Sequence, residues 1–391
     1  MSTIYLNKSV YEAGLERMRW LFDEFENVSV CFSGGKDSTV TLELALQVAK
    51  ERGRLPLPVV FVDQEAEWNS VIEYVRRTMS REEIEPHWIQ CPIRLFNATS
   101  STESWLHCWA EGEDWMRDKE PDSIQVNDFG TDRFHDIFPA YLQKFWPDQK
   151  AIMLAGVRCE ESPNRRTGLT HNTTYKWVTW GKHPIKKREH YTFYPLYDWT
   201  WRDIWKSIHD NKWDYCKVYD EFYRYGISPM QMRVSNLHHE TAVHQLFYLQ
   251  EIEGETWDKL TQRLSGINQA RHLTKSDMFQ VKKLPFMFSS WKDYRDYLVK
   301  HLLVPEQAKL FNSKFAAMDI KWGGMSNAGL VAMYRSQINC VLSNDFEFTK
   351  MDNFESRAQV VNYRKWKAGK LDLSIDRSLF NYLPEGWDAT S

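Results

Sequence analysis

A short glycine-containing loop between an apolar strand and an amphipathic helix constrains the fold of this chain more than any other stretch. The predicted strand covers Val28 to Phe32, and the loop follows it directly. The loop and the start of the next element read Ser33-Gly34-Gly35-Lys36-Asp37-Ser38. Apolar residues then recur at helical spacing and predict a helix from about Asp37 to Arg52. A buried strand that runs through such a loop into a helix is typical of α/β proteins.

Each residue type in this loop suits the binding of an anion. The two glycines permit backbone angles that other residues avoid, and they expose successive amide groups. These amides and the helix dipole favour phosphate. Ser33, Lys36 and Ser38 add hydroxyl donors and a positive charge. Asp37 is the candidate to cap the helix or to hold a phosphate-bound Mg²⁺. An ordinary tight turn is the alternative, but six consecutive residues of these types favour a phosphate-binding loop.

About the first 230 residues alternate between strands and helices. Further strands are predicted at Pro58 to Asp63, His87 to Ile93, Ala151 to Val157 and Tyr191 to Leu196. Their apolar runs are typical of strands that are buried on both faces. The sequence therefore predicts an α/β fold in which a parallel twisted sheet has helices on both faces.

The length of 391 residues favours two domains. The first, residues 1–235, carries the phosphate loop and contains an aromatic-rich insertion at about 94–149 that interrupts the alternation. In residues 236–391 strand patterns fade and helical patterns dominate. The second domain is therefore predicted to be mainly helical, and its role stays open.

Composition excludes several classes of protein. The net charge of −3 lacks the global basic field of a nonspecific nucleic-acid binder. The six cysteines are scattered, without the paired spacing that zinc sites and iron–sulfur clusters use. No apolar run approaches the roughly 18 residues of a membrane span, and the start lacks a signal-peptide pattern. We therefore expect a soluble cytoplasmic protein with no membrane partner and no iron–sulfur cluster.

Ser33 to Ser38 matches the SGGKDS signature of the PP-loop superfamily, the adenine-nucleotide alpha hydrolases, which the chain resembles over about residues 20–230. Two segments are similar to motifs of its sulfonucleotide-reductase, or PAPS reductase-like, branch: Gly156 to Arg166 resembles G-x-R-x-x-E-S-x-x-R, and Tyr194 to Trp205 resembles P-L-x-x-W-x-x-x-D-[IV]-W. Asp63 ends a strand where that branch has an acid near the nucleotide. The resemblance implies binding of ATP or a related adenine nucleotide, with Mg²⁺. The nucleotide-binding residues that it implies are Ser33, Gly34, Gly35, Lys36, Asp37, Ser38, Asp63, Gly156, Glu161 and Ser162.

The chain departs from the classical reductases where their chemistry depends on cysteine. It lacks the carboxyl-terminal E-C-G-L-H motif that carries their reactive cysteine. Tyr225 to Met232 stands where cluster-bearing relatives have cysteines. Without a thiolate, attack on a sulfate sulfur has no evident agent. Classical reduction of a sulfonucleotide is therefore not expected.

A local excess of positive charge follows the fourth predicted strand. Between Arg158 and His190 there are eight Lys or Arg and three Glu. Arg158, Arg165 and Arg166 are predicted beside the phosphate loop, because open α/β sheets bind ligands at the carboxyl ends of their strands. With Lys36 they are the candidate catalytic residues, which would stabilise charge on the α-phosphate. The rest of the region could close over the nucleotide or contact a nucleic acid, and a solvated charged loop is the alternative.

These features predict an ATP-binding protein whose reaction is nucleophilic attack at the α-phosphate with release of pyrophosphate. The layout of the whole chain is similar to that of the IbrA-type proteins, which are prophage-associated bacterial co-activators of gene expression, typically encoded beside a ParB-like protein. That resemblance implies a ParB-like partner and keeps open a nucleotide-sensing subunit without catalysis. Sulfur transfer to nucleic acid is a third hypothesis, which the missing cysteine pairs disfavour.

Overall fold

The computed structural model describes residues 6–97, 99, 105–185, 187–234, 236–239, 245–264, 266–267, 283–343, 345–371 and 377–384. The chain divides into two compact units. Unit 1 comprises Met1–Leu95, His107–Leu237 and Tyr248–Arg263, and unit 2 comprises Phe96–Leu106, His238–Phe247 and Leu264–Ser391. The predicted boundary between residues 235 and 236 stays a prediction, because short stretches on either side of it belong to the other unit.

The strands form one large sheet and one small one. In chain order they are β1 (Asn27–Cys31), β2 (Leu57–Val62), β3 (Ile84–Ile89), β4 (Ile93–Phe96), β5 (Trp105–Cys108), β6 (Ala151–Leu154), β7 (Gly181–Lys182) and β8 (His190–Phe193). The large sheet has the order β3-β2-β1-β6-β8-β7, and β4 pairs with β5. All neighbours in the large sheet are parallel except β7, which lies antiparallel to β8 at the edge. This topology puts β1 beside β6, and the loops that follow both strands emerge at the same edge.

The helices surround the sheet in unit 1 and make up most of unit 2. Those with described bounds are α1 (Val10–Glu24), α2 (Lys36–Glu51), α3 (Asn69–Met79), α4 (Phe134–Phe145), α5 (Pro163–Thr170), α6 (Trp201–Asn211), α7 (Val218–Arg224), α8 (Leu246–Ile252), α9 (Gly254–Arg263), α10 (Trp291–Leu302), α11 (Pro305–Trp322), α12 (Asn327–Leu342), α13 (Thr349–Glu355) and α14 (Ala358–Lys367). Within the described ranges, no helix is both long enough and apolar enough to cross a lipid bilayer.

The predicted α/β class is confirmed, and so is the mainly helical character of the carboxyl-terminal region. Every residue of β6 is buried, as expected for a central strand with both faces covered. The third predicted strand was wrong in its position: it was expected at His87 to Ile93, whereas β3 runs over Ile84–Ile89. Because β3 is an edge strand, it tolerates Pro86, which has no amide hydrogen for a ladder.

Unit 2 has its own apolar core. Its largest fully buried side chains are Phe311, Phe315, Trp322 and Phe354. They come from α11 and α13, and the core that they join also includes residues of α10, α12 and α14. A single core built from several helices is the usual solution for a chain whose apolar residues recur at helical spacing.

Candidate functional site

The loop after β1 turns sharply into α2, and only one of its two glycines needs the freedom that glycine provides. Gly34 has a φ of 69°, in the left-handed region, and a Cβ there would lie 2.8 Å from Cγ1 of Val71. Gly35, the residue before α2, has a φ of −84°, which any residue can adopt. Of the two glycines that permit such backbone angles, Gly34 adopts one and Gly35 does not. Because Gly35 has no side chain, it leaves the first amides of α2 without a side-chain cap.

The serine hydroxyls hold the shape of the loop. The Oγ atoms of Ser33 and Ser38 are 3.0 Å apart, and Oγ of Ser38 donates to the carbonyl of Gly35 at 2.9 Å. Among the described residues, the amides of Gly34, Gly35, Asp37 and Ser38 make no hydrogen bond. Amides in this arrangement can accept a phosphate group.

Gly156 brings the end of β6 against the start of α2. A Cβ at this position would lie 2.6 Å from the carbonyl carbon and oxygen of Asp37 and 2.9 Å from the amide of Ser38. No side chain larger than hydrogen fits so close to backbone. The predicted site residue Gly156 thus lies directly beside the loop.

Lys36 and Arg158, two of the predicted catalytic residues, meet at Asp37. The Lys36 ammonium lies 3.0 Å from one carboxylate oxygen of Asp37, and Nε of Arg158 donates to the other at 2.5 Å. Arg158 also donates to Glu160 at 2.7 Å. The side chains of Lys36 and Arg158 are each 5% exposed, whereas those of Asp37 and Glu160 are 19% and 32% exposed. The four charges sum to zero.

Asp37 fits an ion-pairing role better than that of a magnesium ligand. Each of its oxygens already faces a cation, and a further cation would be repelled by both. In the described part of the chain, no cluster of three or more His, Cys, Asp or Glu side chains is suited to a metal ion. We therefore derive no chemical step through Mg²⁺.

A segment from α7 to residue 234 lies over the loop, although no motif in the sequence predicts this contact. The hydroxyl of Tyr219 accepts from the Lys36 amide at 3.1 Å, and the Lys36 ammonium donates to the carbonyl of Met232 at 3.2 Å. A Cβ on Gly35 would lie 3.4 Å from a methyl group of Val234. These contacts join residues more than 180 positions apart, which no local pattern can signal.

The remaining residues of the predicted Gly156 to Arg166 motif support Arg158 or face outward. Glu161 accepts from the Arg158 amide at 2.8 Å and also pairs with Arg165. Ser162 caps α5 by accepting from the Arg165 amide at 3.2 Å. Arg165 and Arg166 are exposed on α5. Of the four predicted catalytic residues, the structure therefore brings together Lys36 and Arg158 and leaves the other two outside that network.

Asp63 belongs to a second buried network. Its carboxylate accepts from Nε1 of Trp88 at 2.9 Å and from Nε2 of the Gln90 side chain at 3.0 Å, and it pairs with Arg117. Glu65, fully buried, pairs with Arg263 at 2.7 Å. No hydrogen bond joins Asp63 to the phosphate loop among the described residues, so its expected place near a nucleotide stays a prediction.

Glu67, a third acid near this network, makes no salt bridge with any residue that the structure describes. It is 6% exposed, and burial together with the charge of Asp63 raises its pKa to about 8. Arg117 opposes the shift. The sequence analysis missed both Glu65 and Glu67, although the spacing of acids in Asp63-Gln64-Glu65-Ala66-Glu67 after a buried strand could have identified them.

None of the six cysteines is disposed to act as a nucleophile. All six are free, and burial raises the pKa of every one of them. The pKa reaches about 11 for Cys91 and about 12 for Cys31 and Cys216. Since the thiolate is the reactive form, these thiols offer nothing in favour of reductase chemistry or sulfur transfer.

Two family models match this chain, one to each part of it. The family model of the phosphoadenosine phosphosulfate reductase domain matches residues 27–226, and a domain of unknown function, DUF3440, matches residues 226–382. The uncharacterized protein YbdN of Escherichia coli (strain K12) is 29% identical over 281 residues, which are 68% of this chain and 67% of YbdN.

Two weaker matches, one to a sequence and one to a solved structure, have an activity in their names. Sulfate adenylyltransferase subunit 2 of Shewanella loihica is 25% identical over 228 residues, 54% of this chain and 66% of that subunit. The crystal structure of FMN adenylyltransferase from Candida glabrata, in complex with FAD and inorganic pyrophosphate, covers 56% of this chain and 63% of its own, with 16% identity and a TM-score of 0.34. The chain thus spans about two thirds of the length of these curated relatives. Because the reductase-domain model matches more than half of the residues, this chain belongs to the phosphoadenosine phosphosulfate reductase domain family of the PP-loop superfamily, followed by a DUF3440 region.

Proposed function

We propose that this protein binds ATP on the Ser33–Ser38 loop and catalyses attack on its α-phosphate, with release of pyrophosphate. The observation that carries the proposal is that the amides of Gly34, Gly35, Asp37 and Ser38 make no hydrogen bond with any described residue. They lie beside the two nearly buried cations Lys36 and Arg158. Amides and cations placed before charge develops are the groups that lower the barrier to phosphoryl chemistry. The similarity to a sulfate adenylyltransferase subunit supports the same class of reaction.

The network around Asp37 suggests how a nucleotide would be received. Lys36 and Arg158 now share the carboxylate of Asp37 as counter-ion. A triphosphate would replace that carboxylate as their partner, while the amides of Gly35 and Ser38 hold phosphate oxygens. The attacking group could be a small molecule, a protein side chain or a nucleic acid.

Binding is tested by calorimetry with ATP on two variants of one residue. Gly35→Ala adds a methyl group where the nearest atoms are 3.4 Å away, so we expect the affinity to change little. Gly35→Asp adds a negative charge at the phosphate position, and we expect the affinity to fall by a factor of about 10 or more. Equal affinities in both variants, or no heat with the wild-type protein, would rule out the loop as a nucleotide site.

Catalysis is tested by following labelled ATP in the presence of candidate acceptors. We expect AMP, or an adenylylated product, together with pyrophosphate. Arg158→Lys keeps a positive charge but loses the planar fork that reaches Asp37 and Glu160, so we expect turnover to fall by a factor of about 100 while ATP still binds. Binding without any product under all conditions would refute the catalytic part of the proposal.

A second candidate is a nucleotide-sensing subunit of a prophage-associated regulatory system of the IbrA type, which acts with a ParB-like partner. The contacts of Tyr219 and Met232 with Lys36 favour it, because a nucleotide that engages Lys36 would release both. This candidate predicts tight ATP binding without turnover and a partner affinity that depends on ATP. Titration of the partner with and without ATP distinguishes the two functions.

A further inference from the structure

Away from the phosphate loop, unit 1 presents a tryptophan to solvent on a supporting ring. Trp177 is 66% exposed, and its ring centroid lies 5.2 Å from that of Trp20 in α1. The turn that carries it is fixed by backbone hydrogen bonds between Tyr175 and Val178, the shorter at 2.8 Å. The Thr174 hydroxyl also donates to the carbonyl of Gly181 at 2.8 Å. The ring is therefore held outward by defined contacts.

Further rings connect Trp177 with a group of cations. We call Trp177, Trp20, Tyr175, Tyr191 and His183 the ring row. After Trp20, successive centroid separations along it are 6.4 Å, 5.0 Å and 4.4 Å. At its far end, Nε2 of His183 lies 2.6 Å from the carbonyl oxygen of Arg188.

The cations beside the ring row lack counter-ions. Lys182, Lys187 and Arg188 are exposed, and their side chains make no ion pair or hydrogen bond with any residue that the structure describes. The acids nearby are already matched, because Glu24 pairs with Lys176 at 2.7 Å and Glu189 faces Lys150 at 3.8 Å. The surface therefore carries an uncompensated positive charge in a chain whose net charge is −3.

From this arrangement we infer that Trp177, supported from below by the other members of the ring row, and the cations Lys182, Lys187 and Arg188 bind single-stranded nucleic acid. The cations would contact successive phosphates, and an unpaired base would stack on the exposed face of Trp177. A duplex keeps its bases inside and offers no free face to a tryptophan ring. An apolar protein partner would leave the three cations without counter-charges. This surface goes beyond the proposed ATP chemistry and does not depend on it.

The role of the Trp177 ring is tested by fluorescence anisotropy with the full-length protein and labelled oligomers of about 20 nucleotides. The three probes are oligo-dT, oligo-rU and a mixed-sequence duplex. We expect both single strands to bind more tightly than the duplex, and the better of them identifies DNA or RNA as the natural ligand. Trp177→Ala should weaken single-strand binding by a factor of about 10, whereas Trp177→Phe, which keeps a ring, should restore most of it.

The cations are tested by the dependence of affinity on salt between about 50 and about 200 mM. Replacing Lys182, Lys187 and Arg188 by Gln removes three phosphate contacts and should reduce the slope of log K against log salt by about 2. The matched control replaces three exposed cations elsewhere, Arg202, Lys206 and Lys212, by Gln. They lie in α6 and just after it, and their replacement changes the net charge by the same amount. We expect this control to leave the slope nearly unchanged.

Three results would overturn the proposal: no binding of either single strand, affinities that Trp177→Ala leaves unchanged, or equal weakening by the two triple variants. A concentration-dependent dimer that Trp177→Ala abolishes would instead identify the surface as a contact between copies of this chain. ATP binding is measured on the same variants. Because none of these substitutions lies in the phosphate loop, ATP binding separates a failure of the nucleic-acid proposal from a failure of the proposed function.

Discussion

The carboxylate of Asp37 is the ion-pair partner that Lys36 and Arg158, the two cations beside the phosphate loop, have in common. Lys36 is its neighbour in the chain, but Arg158 is 121 residues away and reaches it only through the pairing of β1 with β6. The close approach of Gly156 to the backbone of Asp37 fixes that distance. A substitution at Gly156 therefore acts on the site through backbone position.

Gly156→Ala should destabilise the protein by at least about 2 kcal/mol, because its methyl group would overlap the Asp37 carbonyl. It should also weaken ATP binding. Gly168→Ala is the matched control: no atom lies within 4 Å of its added methyl group, and alanine favours the helix α5 that contains it. Urea denaturation of both variants measures the difference, and equal stabilities would contradict the tight packing at Gly156.

The buried carboxyl of Glu67 predicts a dependence of stability on pH. Its pKa is raised from 4.5 to about 8 in the folded protein, so the folded state holds a proton that the unfolded state releases between these values. Stability contributed by the protonated form is therefore lost as the pH rises through that range. Glu67→Gln removes the titration. We expect the variant to gain about 3 kcal/mol over the wild type between about pH 5.5 and about pH 8.5, measured by urea denaturation, and a constant difference would contradict the shifted pKa.

Helix α2 begins without a side-chain cap, in contrast to α1 and α6. Ser9 and Thr200 cap α1 and α6 with side-chain oxygens, whereas α2 starts after Gly35 without a side-chain cap. Such a cap would occupy the amides that a phosphate needs. The two ends of α2 also carry glycines of similar backbone angle, Gly34 with a φ of 69° and Gly53 with a φ of 64°.

These two glycines allow backbone strain to be separated from packing. Alanine at either position has to adopt a left-handed backbone, at a cost of about 1 kcal/mol. At Gly34 the added methyl group would also lie 2.8 Å from Val71 in α3, whereas at Gly53 nothing lies within 4 Å. We therefore expect Gly34→Ala to cost about 1–3 kcal/mol more than Gly53→Ala in thermal or urea denaturation. Equal losses of stability in the two variants would mean that α3 shifts to accommodate the methyl group at Gly34 without an energetic cost.

At the scale of the whole molecule, neither unit is one continuous stretch of the chain. The part of unit 1 at Tyr248–Arg263 follows a stretch of unit 2 in sequence. Its contacts are specific, because Glu253 accepts from the amides of Asn69 and Ser70 at 2.7 Å and 3.0 Å, at the start of α3. Arg263 pairs with the fully buried Glu65.

A chain that ends after residue 237 should consequently be less stable than one that ends after residue 263, although both lack the rest of unit 2. In the full-length protein, Arg263→Met keeps the bulk of the side chain but leaves Glu65 without its ion pair, so we expect a loss of about 3 kcal/mol. Thermal denaturation measures both comparisons. If the two truncated chains melt together, Tyr248–Arg263 does not stabilise unit 1.

The sequence by itself determined the features that depend on neighbours along the chain. The strand β1, the loop Ser33–Ser38 and the helix α2 were predicted to within a residue or two, because periodicity and turn chemistry are local. The parallel sheet also followed from the alternation of its elements. Where an element's limits depended on a partner, as for β3 at the sheet edge, the prediction shifted by several residues.

Only the tertiary structure decided which groups meet. The ion pair of Arg158 with Asp37, the cover of Tyr219 over Lys36 and the burial of Glu67 arise where strand ends and loops converge at one edge of the sheet. Charge pairing and desolvation depend on distance in space and on what excludes water. Separation along the chain determines neither charge pairing nor desolvation. The sequence therefore predicted the types of residue at the site but not the partners of each residue.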